Sequence, residues 1–206
     1  MRIITLNVNG IRAAARKGFF EWLAKQQADF VCLQETRIQP HQRTDDIFFP
    51  TGYHVAYVDA QKPGYSGVSL FSRRQPDRTV EGLGWKDFDH EGRWVQMDYG
   101  RLSVVSLYLP SGTSKEERQL FKYDLMARLK PYLAKLASSG REYIICGDIN
   151  IAHKEIDLKN WRSNQKNSGR TTWAGGLIIR SPPRPLPSVP TRLRFIRMNG
   201  FQIIRL

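Results

Sequence analysis

The feature that most restricts this fold is a series of short apolar runs that each stop on a polar residue. RIITLN stops at Asn7, DFVCLQE at Glu35, LSVVSLY at Tyr108, and EYIICGDIN at Asp148 and Asn150. Apolar runs of this length, rich in β-branched residues, read as buried strands. YHVAYVDA, GVSLFSR and RWVQMDY add further strands, the last joined to LSVVSLYLP across Gly100 as a hairpin. Between the strands, GFFEWLAKQQA sets Phe19, Trp22 and Leu23 at helical spacing. Phe121, Leu125, Leu129, Leu133 and Leu136 line a longer helix. Ser114 and Glu117 form a capping box at its start and Gly140 can close it, whereas Pro131 is expected to kink or split it. Strands alternating with helices around a central hairpin predict an α/β protein with a mixed sheet or sheets.

A chain of 206 residues can bury one large core, and 41% hydrophobic residues fit a globular protein. No run approaches the roughly 18 apolar residues of a membrane helix, so no membrane association is expected. MRIITLNVNG lacks the apolar stretch of a secretory signal and reads as a strand that begins at once. Cys32 and Cys146 each sit inside an apolar run. They are expected as small buried hydrophobes in a reducing compartment, with a disulfide the lesser alternative. A cytoplasmic monomer follows as the expectation.

The net charge of +13 suggests an anionic partner, but it is unevenly spread. Residues 1–169 hold 25 Lys and Arg against 19 acids, whereas residues 170–206 hold seven Arg and no acid. That last segment also carries five of the 11 prolines and no sustained period, so it is expected to be irregular. One reading makes it an arginine- and proline-rich arm for nucleic acid or a membrane surface. The other makes it translation out of frame after a small deletion. The chain thus divides into a catalytic-type body, 1–169, and a tail, 170–206.

If the four strands that stop on polar residues are neighbours, their ends offer two carboxylates, two amides and a phenol on one rim. Hard oxygen donors of this kind suit Mg²⁺ or Mn²⁺, which take few protein carboxylates and leave room for substrate phosphate. Zinc would want His and Cys. Phosphodiester hydrolysis is the chemistry that follows. Singly, each residue has a plainer explanation, as a strand cap, a turn residue or packing; the case rests on the set.

The surrounding motifs carry a resemblance. LNVNGIRA (Leu6 to Ala13), LQETR (Leu33 to Arg37), SGVSLFSR (Ser66 to Arg73), EGRW (Glu91 to Trp94), YLPSG (Tyr108 to Gly112) and GDINIAHKEIDLKN (Gly147 to Asn160) occur in that order. The set resembles exonuclease III, the Mg²⁺-dependent apurinic/apyrimidinic endonuclease family of the endonuclease/exonuclease/phosphatase superfamily. It covers residues 1 to about 169. The resemblance implies a four-layered α/β sandwich of two packed mixed sheets with outer helices, the second sheet left incomplete. It implies metal ligation by Asn7, Glu35, Asp148 and Asn150, with Glu35 the principal carboxylate. Tyr108 is then the phenol at the scissile phosphate, Asp148 the carboxylate that positions water or protonates the leaving oxygen, and Asn150 the amide that holds the phosphate. Arg93, Lys115 and Lys122 are expected contacts to the DNA backbone. His153 belongs to the AHKEIDL element, where a structural role is favoured over a general base. His41 and His54 have no nameable partner.

The family pattern continues with a further helix, closing strands, a late Asp and a terminal Ser-Asp-His motif. Here the only Asp-His dipeptide is Asp89-His90, in a mid-chain loop. Three readings therefore stand: a Mg²⁺-dependent repair phosphodiesterase acting on abasic sites and 3′ ends of duplex DNA, a truncated or frame-shifted and catalytically dead fragment, and a nucleic-acid binder using its basic tail.

Overall fold

The computed structural model describes residues 1–111 and 116–150 and, in the last part of the chain, the backbone of three strands. The strands are β1 (Arg2–Asn7), β2 (Phe30–Gln34), β3 (His54–Val58), β4 (Val68–Ser72), β5 (Arg78–Glu81), β6 (Trp94–Tyr99), β7 (Leu102–Tyr108), β8 (Glu142–Asp148), β9 (Ala174–Ile179), β10 (Arg194–Met198) and β11 (Phe201–Arg205). The helices of the body are α1 (Ile11–Arg16), α2 (Phe19–Ala24), α3 (Lys86–Asp89) and α4 (Glu116–Ala137). Two mixed sheets result, ordered β10-β11-β1-β2-β4-β3 and β5-β6-β7-β8-β9.

Side-chain alternation along the strands sorts the body into four layers. Phe30 and Cys32 of β2 face the other sheet and pack with Met97, Val104, Ile144 and Cys146. Val31 and Leu33, one residue out of phase, turn the other way onto Ile11 of α1 and Phe20 and Leu23 of α2. In the second sheet, Trp94, Val105 and Ile145 face outward onto Leu125, Leu129 and Leu136 of α4. Each fully buried side chain of this size contributes roughly 1.5–3 kcal/mol. Both cysteines are free and buried, as expected.

Each sheet contains one parallel pair, and these two pairs bring the functional residues together. β1 runs parallel to β2 with Asn7 opposite Gln34, and β7 runs parallel to β8 with Tyr108 opposite Asp148. Parallel neighbours finish at the same edge, so residues that close consecutive strands become spatial neighbours. A buried polar chain fixes the sheets' alignment just beneath that edge. Thr5 Oγ1 donates to Gln34 Oε1 (3.4 Å), Gln34 Nε2 to Ser106 Oγ (3.0 Å) and Ser106 Oγ to the Leu33 carbonyl (3.1 Å). Each of these groups has a partner, which lets polar groups lie between two apolar faces without a desolvation penalty.

Three expectations change. Pro131 does not split the long helix: α4 runs unbroken from Glu116 to Ala137 with Pro131 inside and on its exposed side. Burial of Leu125, Leu129 and Leu136 outweighs the roughly 3 kcal/mol an internal proline costs. Ser114 of the expected capping box lies outside the described residues. The exposed segment RTVE, which carries no apolar pattern, forms β5 by pairing with β6.

The third change concerns the tail, whose expected irregularity does not hold for β9, β10 and β11. β9 pairs antiparallel with β8 from Asp148↔Ala174 to Tyr143↔Ile179, and β11 pairs antiparallel with β1. β10 then pairs with β11, Met198 opposite Phe201 with Asn-Gly between them, a dipeptide favoured in two-residue hairpins. The physical reason is the pair of open edges that β1 and β8 would otherwise present, whose backbone groups accept any extended partner. The five prolines all fall between β9 and β10, outside the strands.

Candidate active site

The rim where the parallel pairs end holds Asn7, Glu35, Tyr108 and Asp148 in one hydrogen-bonded cluster. Asn7 Nδ2 donates to Glu35 Oε1 at 2.7 Å and to Asp148 Oδ2 at 2.9 Å, joining carboxylates that lie 113 residues apart in sequence. The Tyr108 hydroxyl donates to the same Glu35 Oε1 at 2.8 Å. Arg37 Nη2 donates to the other oxygen, Oε2. The backbone N–H of Asn150 donates to Asp148 Oδ1 at 3.0 Å.

The local backbone is bent to achieve this. Among the described residues six non-glycine residues adopt the left-handed conformation that such residues seldom visit, and five of them, Glu35 (φ 54°), Arg37 (φ 50°), Asn150 (φ 50°), Asn9 (φ 47°) and Ser66 (φ 46°), lie at this site, the sixth being Gln27. All five are tied to the cluster directly or through one hydrogen bond. Asn9 N donates to Asn7 Oδ1 (3.0 Å), and Arg37 N to the Ser66 carbonyl (2.9 Å). Two glycines permit the close approaches. A Cβ at Gly147 would sit 2.1 Å from the Leu107 carbonyl oxygen, and one at Gly67 (φ 85°) would sit 2.4 Å from Thr36 Oγ1.

Asp148 is fully buried, and burial pushes its carboxyl up to about 6, against the opposing hydrogen bonds from Asn7 and Asn150. A carboxyl in that range exchanges a proton near neutral pH. Burial likewise raises the Tyr108 phenol, and the adjacent Glu35 charge raises it further, so it remains a proton donor. The cluster can therefore bind a cation through carboxylate oxygens, donate a hydrogen bond and accept or release a proton.

Asn150 is brought to the same turn but directs its side-chain Nδ2 to the Leu109 carbonyl (2.8 Å), which fixes the turn after β8. Asn7 offers the carboxylates its nitrogen, which has no lone pair for a metal, while its oxygen is engaged by Asn9. In this cluster it bridges the two acids through its nitrogen, and its oxygen, with one hydrogen bond accepted, keeps a second lone pair. Glu35 and Asp148 supply the carboxylate donors of the expected set, and one or two carboxylates is what Mg²⁺ uses when it keeps its waters. Among the described residues, no group of three or more His, Cys, Asp and Glu is close enough to hold a metal.

Two expected DNA contacts are corrected by burial. Arg93 is 1% exposed; its Nη1 donates to the Tyr108 carbonyl (3.0 Å) and its guanidinium lies 4.8 Å from the Tyr108 ring centre. Lys122 is 3% exposed and donates to the Asn150 carbonyl. Burial lowers its ammonium despite the Asp148 charge. Neither can meet a polyanion in solvent; both support site residues from behind. Lys115 and His153 lie outside the described residues.

The sequence reading missed the network behind Tyr108. Glu91 accepts from Arg93 Nε (2.7 Å) and, through both oxygens, from Arg118 (2.8 and 3.1 Å), while the Tyr65 hydroxyl accepts from Arg93 and Arg118 (3.2 and 2.6 Å). Burial raises the Glu91 carboxyl, but the two arginines outweigh it and hold it below the usual range. The motif EGRW contained Glu91; nothing in the sequence flagged Arg118 or Tyr65 as its partners.

Comparison with known proteins places the fold. The Bacillus subtilis exodeoxyribonuclease is 38% identical over 170 residues, covering 82% of this chain and 66% of that protein. A DNA-(apurinic or apyrimidinic site) endonuclease of Dictyostelium discoideum is 34% identical over 175 residues, covering 83% of this chain and 47% of that one. The structure of an AP endonuclease from Archaeoglobus fulgidus superimposes with a TM-score of 0.69 at 28% identity, covering 82% of this chain and 64% of that one. The chain thus spans between about half and two thirds of the length of these relatives. The Endonuclease/Exonuclease/phosphatase family matches residues 4–197, a range that takes in β9 and nearly all of β10. With the two-sheet sandwich and the strand-end cluster in place, this match shows that the chain belongs to the endonuclease/exonuclease/phosphatase family.

Proposed function

We propose that this chain carries the active-site core of an exodeoxyribonuclease III-type, Mg²⁺-dependent phosphodiesterase, acting on duplex DNA at abasic sites and 3′ ends. The observation that carries the reading is the Asn7 amide joining Glu35 and Asp148, with the Tyr108 phenol on the same Glu35 oxygen. Relatives named as exodeoxyribonuclease and as apurinic or apyrimidinic site endonuclease support the substrate class.

In this mechanism Glu35 and Asp148 would hold a divalent cation, Mg²⁺ or Mn²⁺, which would supply positive charge to offset the phosphate's. Asn7 keeps the two carboxylates in fixed relation. Tyr108 donates its O–H toward a phosphate oxygen in exchange for its bond to Glu35. Asp148 orients the attacking water and takes its proton as the water oxygen bonds to phosphorus, and the 3′ oxygen departs with the electron pair of the broken phosphorus–oxygen bond and takes up a proton from solvent. The exposed Lys17, which lines a hollow with Asn7 and Asn9, and Arg37 on Glu35 replace Arg93 and Lys122 as candidate backbone contacts. No helix among the described residues is long and apolar enough to cross a membrane, and the reading keeps a monomer acting in the cytoplasm.

The test is incision of a duplex with one abasic site, with Mg²⁺ and with chelator, beside Glu35→Ala. Metal-dependent incision lost in the variant supports the reading. Folded protein that fails to cut the duplex with Mg²⁺ yet still binds it in chelator supports the binder built on the basic tail instead, with affinity falling steeply as salt rises.

A further inference from the structure

We infer that Arg37 holds the place of the divalent cation at Glu35, so that cation binding is an exchange against its guanidinium and Arg37 sets the cation affinity. The inference rests on the metal-dependent reading above and adds to it the residue that opposes loading.

The argument starts from the two oxygens of Glu35. Oε1 accepts from both Asn7 Nδ2 and the Tyr108 hydroxyl, which take up its lone pairs. Oε2 is the oxygen left for a cation, and Arg37 Nη2 is on it. A guanidinium and a divalent ion cannot share one carboxylate oxygen without strong repulsion at such short range, so one leaves as the other arrives.

Arg37 is built to leave. Its side chain is 43% exposed, against 13% for Glu35. Its backbone, by contrast, is held: Arg37 N donates to the Ser66 carbonyl (2.9 Å) and Thr36 N to the Gly67 carbonyl (3.1 Å). Exchange therefore needs only a swing of the side chain about a fixed backbone. The other cations near the cluster lack this freedom. Arg93 is buried among Glu91, Tyr65 and Tyr108, and Lys122 is buried on the Asn150 carbonyl. Among the described residues, Arg37 is the basic side chain recorded in an ion pair with a rim carboxylate.

The experiment measures Mn²⁺ binding to the full chain by the electron paramagnetic resonance of free Mn²⁺, for the parent, Arg37→Ala, Arg37→Lys and Glu35→Gln. Arg37→Ala is expected to bind roughly three- to tenfold more tightly, the worth of removing a partly exposed ion pair together with its repulsion of the incoming ion. Arg37→Lys keeps a competing charge and is expected within about twofold of the parent. Glu35→Gln is expected to lose the site. Equal or weaker binding by Arg37→Ala, with Glu35-dependent binding by the parent, overturns the inference and leaves the metal-dependent reading standing. No Glu35-dependent binding by either the parent or Arg37→Ala overturns that reading, and the inference with it. Because the Arg37 side chain is exposed at the rim, Arg37→Ala is expected to fold; a circular dichroism melt matching the parent's checks this.

Discussion

The β1–β2 half of the rim and the β7–β8 half share one backbone plan: two parallel strands, each finishing on a polar residue at the same edge of its sheet. They differ in what surrounds the acid. Glu35 stands at the solvent side, 13% exposed, with the exposed cation Arg37 on one oxygen. Asp148 is fully buried, with Lys122 on the nearby Asn150 carbonyl and a carboxyl raised to about 6. Acids placed in contrasting surroundings let one of two cation-side carboxylates also handle a proton. The Asn7 amide joins the halves and lets each keep its own environment.

The largest expected effect comes from removing the solvent-side acid. Glu35→Ala should lower metal-dependent incision by about 10³-fold or more, since it deletes the cation donor and frees both Asn7 and Tyr108. A single-turnover incision assay checks it; a loss below tenfold would mean that Asp148 alone holds the cation. Next is the backbone of the buried half. Gly147→Ala should destabilise the fold by roughly 3 kcal/mol or more, because its Cβ would sit 2.1 Å from the Leu107 carbonyl oxygen and force β7 and β8 apart. Urea denaturation measures this, and a change under 1 kcal/mol would show that the pair yields.

Asp148→Asn sharpens the contrast through pH. The Asp148 carboxyl is raised from 3.8 to about 6 in the folded chain, so its contribution to stability is complete below about pH 4 and lost as pH rises through about 6. In metal-free buffer the variant escapes that loss. It should be more stable than the parent by about 2–3 kcal/mol at pH 7.5 and show no gain at pH 3.5. Thermal melts across this range decide it; a gain independent of pH would locate the effect elsewhere. The smallest effect is Tyr108→Phe, which keeps the ring against Arg93 and removes one hydrogen bond to Glu35. It should lower kcat about ten- to a hundredfold with stability changed by about 1 kcal/mol.

Much of this was legible beforehand because it is local. The strand of residues 142–148 can be read from its apolar run, and the hairpin across Gly100 from the glycine between two such runs. The convergence of Asn7, Glu35, Tyr108 and Asp148 followed from strand ends and a motif order read together. Lys122 and Arg93 were misread for one reason. Sequence reports a charge but not the side of the sheet on which it lies, and surface exposure is the ordinary fate of Lys and Arg. β5 and the three tail strands escaped notice because pairing partners, and not their own patterns, make them strands.

What the sequence determined by itself was the periodicity of its elements, the polar residues that close them, and the glycines that allow left-handed or crowded backbone; each depends on a few neighbouring residues. What only the tertiary structure decided was burial. Burial raises Asp148, removes Arg93 and Lys122 from solvent and leaves Arg37 exposed at the rim on Glu35, while the open edges of β1 and β8 recruit the tail. Desolvation and edge pairing depend on what the rest of the chain brings near, and no local stretch of residues carries that information.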